Sequence, residues 1–181
     1  MHLDEDGPLQ SSIQKEEIDR LFSATYEELR RLASRVRGDD PAQTLNPTAL
    51  VNEAYLKLAG SLRIAPTSRL HFRRLAARAM RQVLVEAARR RNALKRGAEF
   101  AFVTLDDGVV RQDARSGDLL ALDAALERLS AVSSRQALLV EYRYFGGLEV
   151  AEIAESLEIS ESTVLRDWRA ARAWLANELR G

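Results

Sequence analysis

Two sets of side chains carry chemistry in this sequence, and both suit nucleic acid. The first comprises Arg63, Arg69, Arg73, Arg74, Arg78, Arg81, Arg89, Arg90, Arg91, Lys95 and Arg96, set against the single acid Glu86. Wound as a helix from Arg69 to about Arg96, this segment places Phe72, Ala76, Ala79, Val83 and Ala87 around one direction. Arg74, Arg78, Arg81, Arg89, Asn92 and Arg96 lie around the opposite one, interrupted only by Val85. Solvated charged faces normally mix signs; like charges at i, i+3 and i+4 repel by about 0.2–0.5 kcal/mol per pair, so the stripe calls for a polyanion.

The second set is Ser160, Ser162 and Thr163 followed by Arg166, Arg169 and Arg172. Hydroxyls at a helix start can face base edges, while guanidiniums along its flank meet phosphate. Catalysis has no comparable foundation. No Ser/His/Asp set, HExxH motif or phosphate-cradling glycine loop is present, so a binding protein is expected and not an enzyme. Cysteine is absent, and His2 and His71 are far apart, so neither a metal site nor a cofactor is expected.

The elements that must position these residues are helices. From Leu148 to Leu179 the pattern reads helix, tight turn, longer helix. Val150, Ile153, Ala154 and Leu157 form one stripe; Ser160 caps the next helix and Ile159 stands where a hydrophobic staple packs. In that second helix Val164, Trp168, Ala171 and Leu175 share a side, with Ser162, Leu165, Arg166, Arg169 and Arg172 across from them. Periodicity alone equally fits a plain helical hairpin with a solvated outer face. The short capped turn, and arginines opposite the Trp-bearing side, favour a helix-turn-helix. Trp168 and Trp174 are read as packing residues.

Upstream, residues 1–12 read as a loose acidic tail and helical periodicity starts near Ile13, running to about Arg37 before Gly38. Asn46-Pro47 is a helix start, Asn as cap and Pro at the first position, and the helix runs to about Leu58. Residues 59–68 form a loop. Residues 98–117 read as a linker, because Phe100, Phe102, Val103 and Leu105 alternate imperfectly and a lone strand has no partner. Beyond it come a helix ending near Ser130, another capped by Ser133 or Ser134 and closed by Gly146-Gly147, and then the helix-turn-helix. The expected fold is all-α, two small helical domains at 13–97 and 118–181.

The whole chain sets bounds consistent with this. It has 181 residues, 46% of them hydrophobic, enough for real cores. Its net charge of zero hides the local basic field of residues 63–96. No run of about 18 uncharged apolar residues occurs and the N-terminal stretch is polar, so a cytoplasmic protein without a membrane contact is expected.

Taken together, LVNEAYLKL at Leu50–Leu58, the basic helix, and YRYFGGLEVAEIAESLEISESTVLRDWRAARAWL from Tyr142 resemble bacterial RNA polymerase sigma factors of the extracytoplasmic-function class. The likeness spans the chain from about Glu17 onward. The wording TLNPTALVNEAYLKL, AARAM and RDWRAARAWL further resembles a subgroup associated with serine/threonine kinases. The resemblance implies a three-helix second sigma domain and a four-helix fourth domain, with core RNA polymerase and promoter DNA, duplex and melted, as partners. Leu50, Val51, Asn52, Glu53, Tyr55, Leu56 and Lys57 would dock on the clamp helices of the largest subunit, with the polymerase flap a further contact. Arg63, Arg69, His71, Arg74, Arg78, Arg81 and Arg89 would hold the -10 element, where capture of extruded bases favours the melted strand. Ser160, Ser162, Thr163, Arg166, Arg169 and Arg172 would read the -35 duplex.

The sequence departs from that class at two places. An acidic run common before the core-binding helix is replaced by Asn46, Pro47, Thr48 and Ala49. A phosphate on Thr48, or on nearby Thr44, would restore about -1.5 to -2 charges beside a helix N-terminus, so a kinase switch is expected; the alternative is that Thr48 only helps cap. Leu165 and Asp167 stand where many relatives carry Lys or Arg, and Asp167 is expected to pair with a neighbouring arginine instead of facing DNA. An anti-sigma factor is a further conceivable partner. The main rival function is a stand-alone helix-turn-helix regulator, which would bind duplex operators tightly without polymerase.

Overall fold

The computed structural model describes residues 7–37, 45–60, 66–94 and 116–180, and every regular element among them is an α-helix. In order these are α1 (Gly7–Arg37), α2 (Pro47–Gly60), α3 (Arg69–Leu94), α4 (Ser116–Val132), α5 (Ser134–Tyr144), α6 (Val150–Leu157) and α7 (Glu161–Glu178). The all-helical class holds. Thr44, Arg63, Lys95 and Arg96 lie outside the described residues, as do residues 98–115 of the expected linker and 1–6 of the expected tail.

Helix α1 begins at Gly7, six residues before Ile13, where periodicity becomes readable. Pro8 ends no helix here, because in a first turn its missing N–H has no intrahelical partner to lose. Ile18, Leu21, Leu29, Leu32, Ala33 and Val36 form its buried stripe. Thr25 falls on the same side, and its hydroxyl is satisfied by donating to Leu21 O at 2.8 Å. Asn46 caps α2 as expected, its Oδ1 accepting from Ala49 N at 2.7 Å. From α2, Leu50, Val51 and Ala54 pack inward. Tyr55 is fixed at the α1 boundary by donating to Asp19 Oδ1 at 2.5 Å and packing on the Phe22 ring at 4.5 Å.

Helix α3 is the hub: it packs on α1 and α2, and also on α4, α5 and α6. Its expected apolar side, Phe72, Ala76, Ala79 and Val83, is buried. So are Ala77, Met80, Leu84, Val85 and Ala88, so the buried side is broader than one apolar stripe, while Arg78, Gln82, Glu86, Arg89 and Arg90 stay exposed. Val85, the one interruption in the basic stripe, marks where the second group of helices sits. One continuous apolar cluster therefore runs from Ile18 to Leu175 through both helix groups.

The seam between the groups depends on a glycine. A Cβ at Gly146 would lie 2.6 Å from Tyr142 O and 2.9 Å from the Ala77 Cβ of α3, so only a bare backbone fits beside that helix. Gly147 then turns the chain with φ near 59° into Leu148, which is 2% exposed.

Candidate nucleic-acid interface

The α6–α7 unit forms as its sequence dictates. Glu149 N donates to Glu152 Oε2 at 2.8 Å to start α6, and Glu158 adopts the left-handed conformation at φ 54° to end it. Ile159 N then closes on Ala154 O at 3.0 Å. Ser160 caps α7 by accepting from Thr163 N at 3.2 Å, and its hydroxyl lies 2.9 Å from those of both Ser162 and Thr163. Val164, Trp168, Ala171 and Leu175 are buried on the inner side, as expected. The Trp168 ring also carries the Arg143 guanidinium at 5.0 Å, a packing and cation–π role.

The outer side of α7 is open. Ser162, Arg166 and Arg169 are exposed, Thr163 and Arg172 half-buried, and Leu165 is 41% exposed between them. Asp167 does turn inward: it is 4% exposed and accepts from Arg135 Nε at 2.7 Å, with Arg166 a looser neighbour at 3.8 Å. Its negative charge is thereby taken off the outer surface.

The arginines of α3 are in a different state. Arg81 is only 17% exposed and lies between two carboxylates of the other helix group. It donates from Nε to Asp123 of α4 at 3.0 Å and from Nη1 to Glu141 of α5 at 2.7 Å. Burial works against its charge, but the hydrogen bonds to Glu141 and Asp123 outweigh it, and the pKa stands above the ordinary arginine value. Arg89 reaches Asp123 at 3.3 Å from a mostly exposed position. Arg73 pairs with Glu152 of α6 and donates to Gly147 O at 3.0 Å. Arg74 donates to the Tyr142 hydroxyl at 3.3 Å and lies over its ring at 5.5 Å.

This corrects one step of the sequence reasoning. The stripe has no acid of its own on that side of the helix, but anions that relieve its repulsion are in the chain itself, on α4 and α5, and Glu152 of α6 does the same for neighbouring Arg73. Partners separated by 34 to 79 residues cannot be paired from helical spacing. Of the other basic positions, Arg69 pairs with Glu28 of α1 and Arg78 is exposed. His71, half-buried, accepts from Thr67 N at Nδ1 over 3.2 Å; burial, then the nearby Arg74 charge, lowers its pKa below the ordinary 6.5. It is neutral at pH 7, and any part it takes in base capture runs through stacking and hydrogen bonding.

On α2 the expected polymerase-facing residues divide in two. Leu50 and Val51 are interior and Tyr55 is tied to Asp19, so they hold the helix in place. Asn52, Glu53 and Leu56 are exposed, Leu56 by 60%, while Lys57 pairs with Glu86 at 2.7 Å. Thr48 is exposed and lines up with Asn52 and Leu56 at four-residue steps.

Among the described residues no helix is long and apolar enough to cross a membrane. A family model described as ECF sigma factor matches residues 11–181 of the chain. No curated protein and no solved structure gave a match.

Proposed function

The chain belongs to the ECF sigma factor family, and on that premise we propose how its surfaces divide the work of transcription initiation. Sigma factors act with core RNA polymerase on promoter DNA, so both are its partners. Helix α7 reads the -35 duplex with Ser160, Ser162, Thr163, Arg166, Arg169 and Arg172, its inner side anchored by Trp168 and Leu175. Helix α3 holds the -10 strand with Arg69, His71, Arg74, Arg78, Arg81 and Arg89. Helix α2 docks on the polymerase clamp through Asn52, Glu53 and Leu56, which Leu50, Val51 and Tyr55 position. The site of action is the cytoplasm, where polymerase and promoter meet.

The observation that carries this reading is the unequal state of the two DNA-facing helices. On the outer side of α7, Ser162, Arg166 and Arg169 are exposed, while Arg73, Arg74, Arg81 and Arg89 of α3 are engaged by α4, α5 and α6. A protein in that state has one DNA surface ready and one occupied, which suits a factor that needs polymerase to complete its promoter contacts. It is the resting form, opened when core enzyme separates the two helix groups. A stand-alone duplex-binding regulator needs no second occupied surface, and nothing here favours it.

A phosphate on Thr48 supplies a regulatory step. Thr48 sits in the first turn of α2, where the helix dipole favours an anion, at one end of the exposed line formed with Asn52 and Leu56. A serine/threonine kinase is the partner this requires; an anti-sigma factor covering the same α2 line would act in the opposite direction. Thr48→Glu should bind core polymerase at least several-fold more tightly than Thr48→Ala. Equal affinities of the two variants rule out a charge switch at this position. The wider reading is tested by run-off transcription, which should be promoter-specific only when core polymerase and this protein are both present.

A further inference from the structure

An exposed leucine on a protein surface is ordinary; one in the middle of a polar base-reading surface is not. Leu165 lies one turn into α7 with 41% of its surface exposed, on the flank of the helix, about 60° round from the buried Trp168 and about 100° from Val164. At 100° per residue it stands about 40° from Arg169 and about 60° from Ser162, both exposed. Its neighbours offer hydroxyls and guanidiniums for acceptors and phosphates. Leu165 offers none of these; it presents a branched apolar surface beside Arg169 and Ser162.

In the major groove the one apolar group that a natural base pair presents is the C5-methyl of thymine. We infer that Leu165 is a specificity-determining residue that contacts a thymine methyl in the -35 duplex, so that this sigma factor prefers T·A at one base pair for which it makes no direct hydrogen bond. The inference rests on α7 being the duplex-reading helix. Packing a methyl against leucine removes apolar area from water, which gives about fourfold in affinity for one such group. Arginine or lysine at this position would instead seek guanine acceptors or phosphate.

The test uses holoenzyme reconstituted from core polymerase and the full chain. A duplex library randomised over the -35 region is selected for binding, and each thymine in the selected sequence is then replaced in turn by deoxyuridine, which lacks only the methyl group. At one thymine the replacement should weaken holoenzyme binding by about fourfold, and in Leu165→Ala the same replacement should have no effect. Arg166→Ala should bind more weakly overall yet keep its sensitivity to deoxyuridine. Because Leu165 is exposed, Leu165→Ala should melt at the wild-type temperature, which separates a lost contact from a lost fold. Indifference of the wild type to every deoxyuridine, an unchanged deoxyuridine effect in Leu165→Ala, or a selected -35 sequence without thymine overturns the inference alone. Selection of no -35 preference at all overturns the assignment of α7 with it.

Discussion

Asp123→Asn is the substitution that asks most directly whether the two helix groups hold α3 away from DNA. Asp123 is 7% exposed and accepts from Arg81 Nε at 3.0 Å and Arg89 Nη2 at 3.3 Å. The amide keeps the volume and removes the charge without touching an arginine that could bind DNA. Removing one partner of a fully buried pair costs about 3–5 kcal/mol. Here Glu141 stays on Arg81 at 2.7 Å and the guanidinium is 17% exposed, so the loss is closer to that of one charged hydrogen bond, about 1.5–3 kcal/mol.

If the groups must part before α3 can hold a strand, apparent affinity scales with the open fraction. A closed form weakened by that amount should bind single-stranded DNA about tenfold more tightly or better, since about 1.4 kcal/mol is a factor of ten. Fluorescence anisotropy of the free protein with a labelled single-stranded oligonucleotide reads this, alongside hydrogen exchange along α3, which should rise. Glu178→Gln is the control: it also removes one negative charge, from a half-exposed pair between α7 and Arg128 of α4 that includes no residue of α3. A gain no larger than that of the control, with stability lowered as calculated, would refute the idea that this contact hides the strand-binding surface.

Gly146→Ala attacks the same seam through shape, since its methyl would sit 2.9 Å from Ala77 Cβ and 2.6 Å from Tyr142 O. It should destabilise by about 1–3 kcal/mol in thermal or urea unfolding; wild-type stability would mean that α3 does not approach this turn so closely. His71 should titrate below 6.5 by NMR, because burial and Arg74 both favour its neutral form. With the folded pKa below the unfolded one, the unfolded chain takes the proton first. The contribution is then complete above about pH 6.5 and is lost as pH falls through the folded value, so His71→Gln should flatten stability on the acid side. An unchanged acid limb in that variant would contradict the shift.

Helix α7 was legible because its information is local. Ser160 at the cap, Ile159 before it, and Val164, Trp168, Ala171 and Leu175 at helical steps fix its start and its inner side within 17 residues. The inward turn of Asp167 followed from the same wheel, and Arg135 proved to be its strongest partner. The setting of α3 was not legible, because Asp123, Glu141 and Glu152 belong to elements that helical periodicity treats as separate. Val85 was the available signal: an apolar residue interrupts the basic stripe where α3 faces the second helix group, and there it lines a pocket with Asp123 and Leu126 of α4 and Ala137 and Glu141 of α5. The start of α1 at Gly7 was missed for a smaller reason, since Gly-Pro reads as a break except where the helix has only just begun.

Run-off transcription from a promoter selected with the holoenzyme tests the central claim most directly, with reactions containing core polymerase alone, this protein alone, and both together. Specific transcripts should arise only from the combination, and Arg166→Ala should abolish most of that product while leaving binding to core unchanged. Promoter-independent output from the combination, or tight sequence-specific duplex binding by the protein alone with no effect on core polymerase, would contradict it.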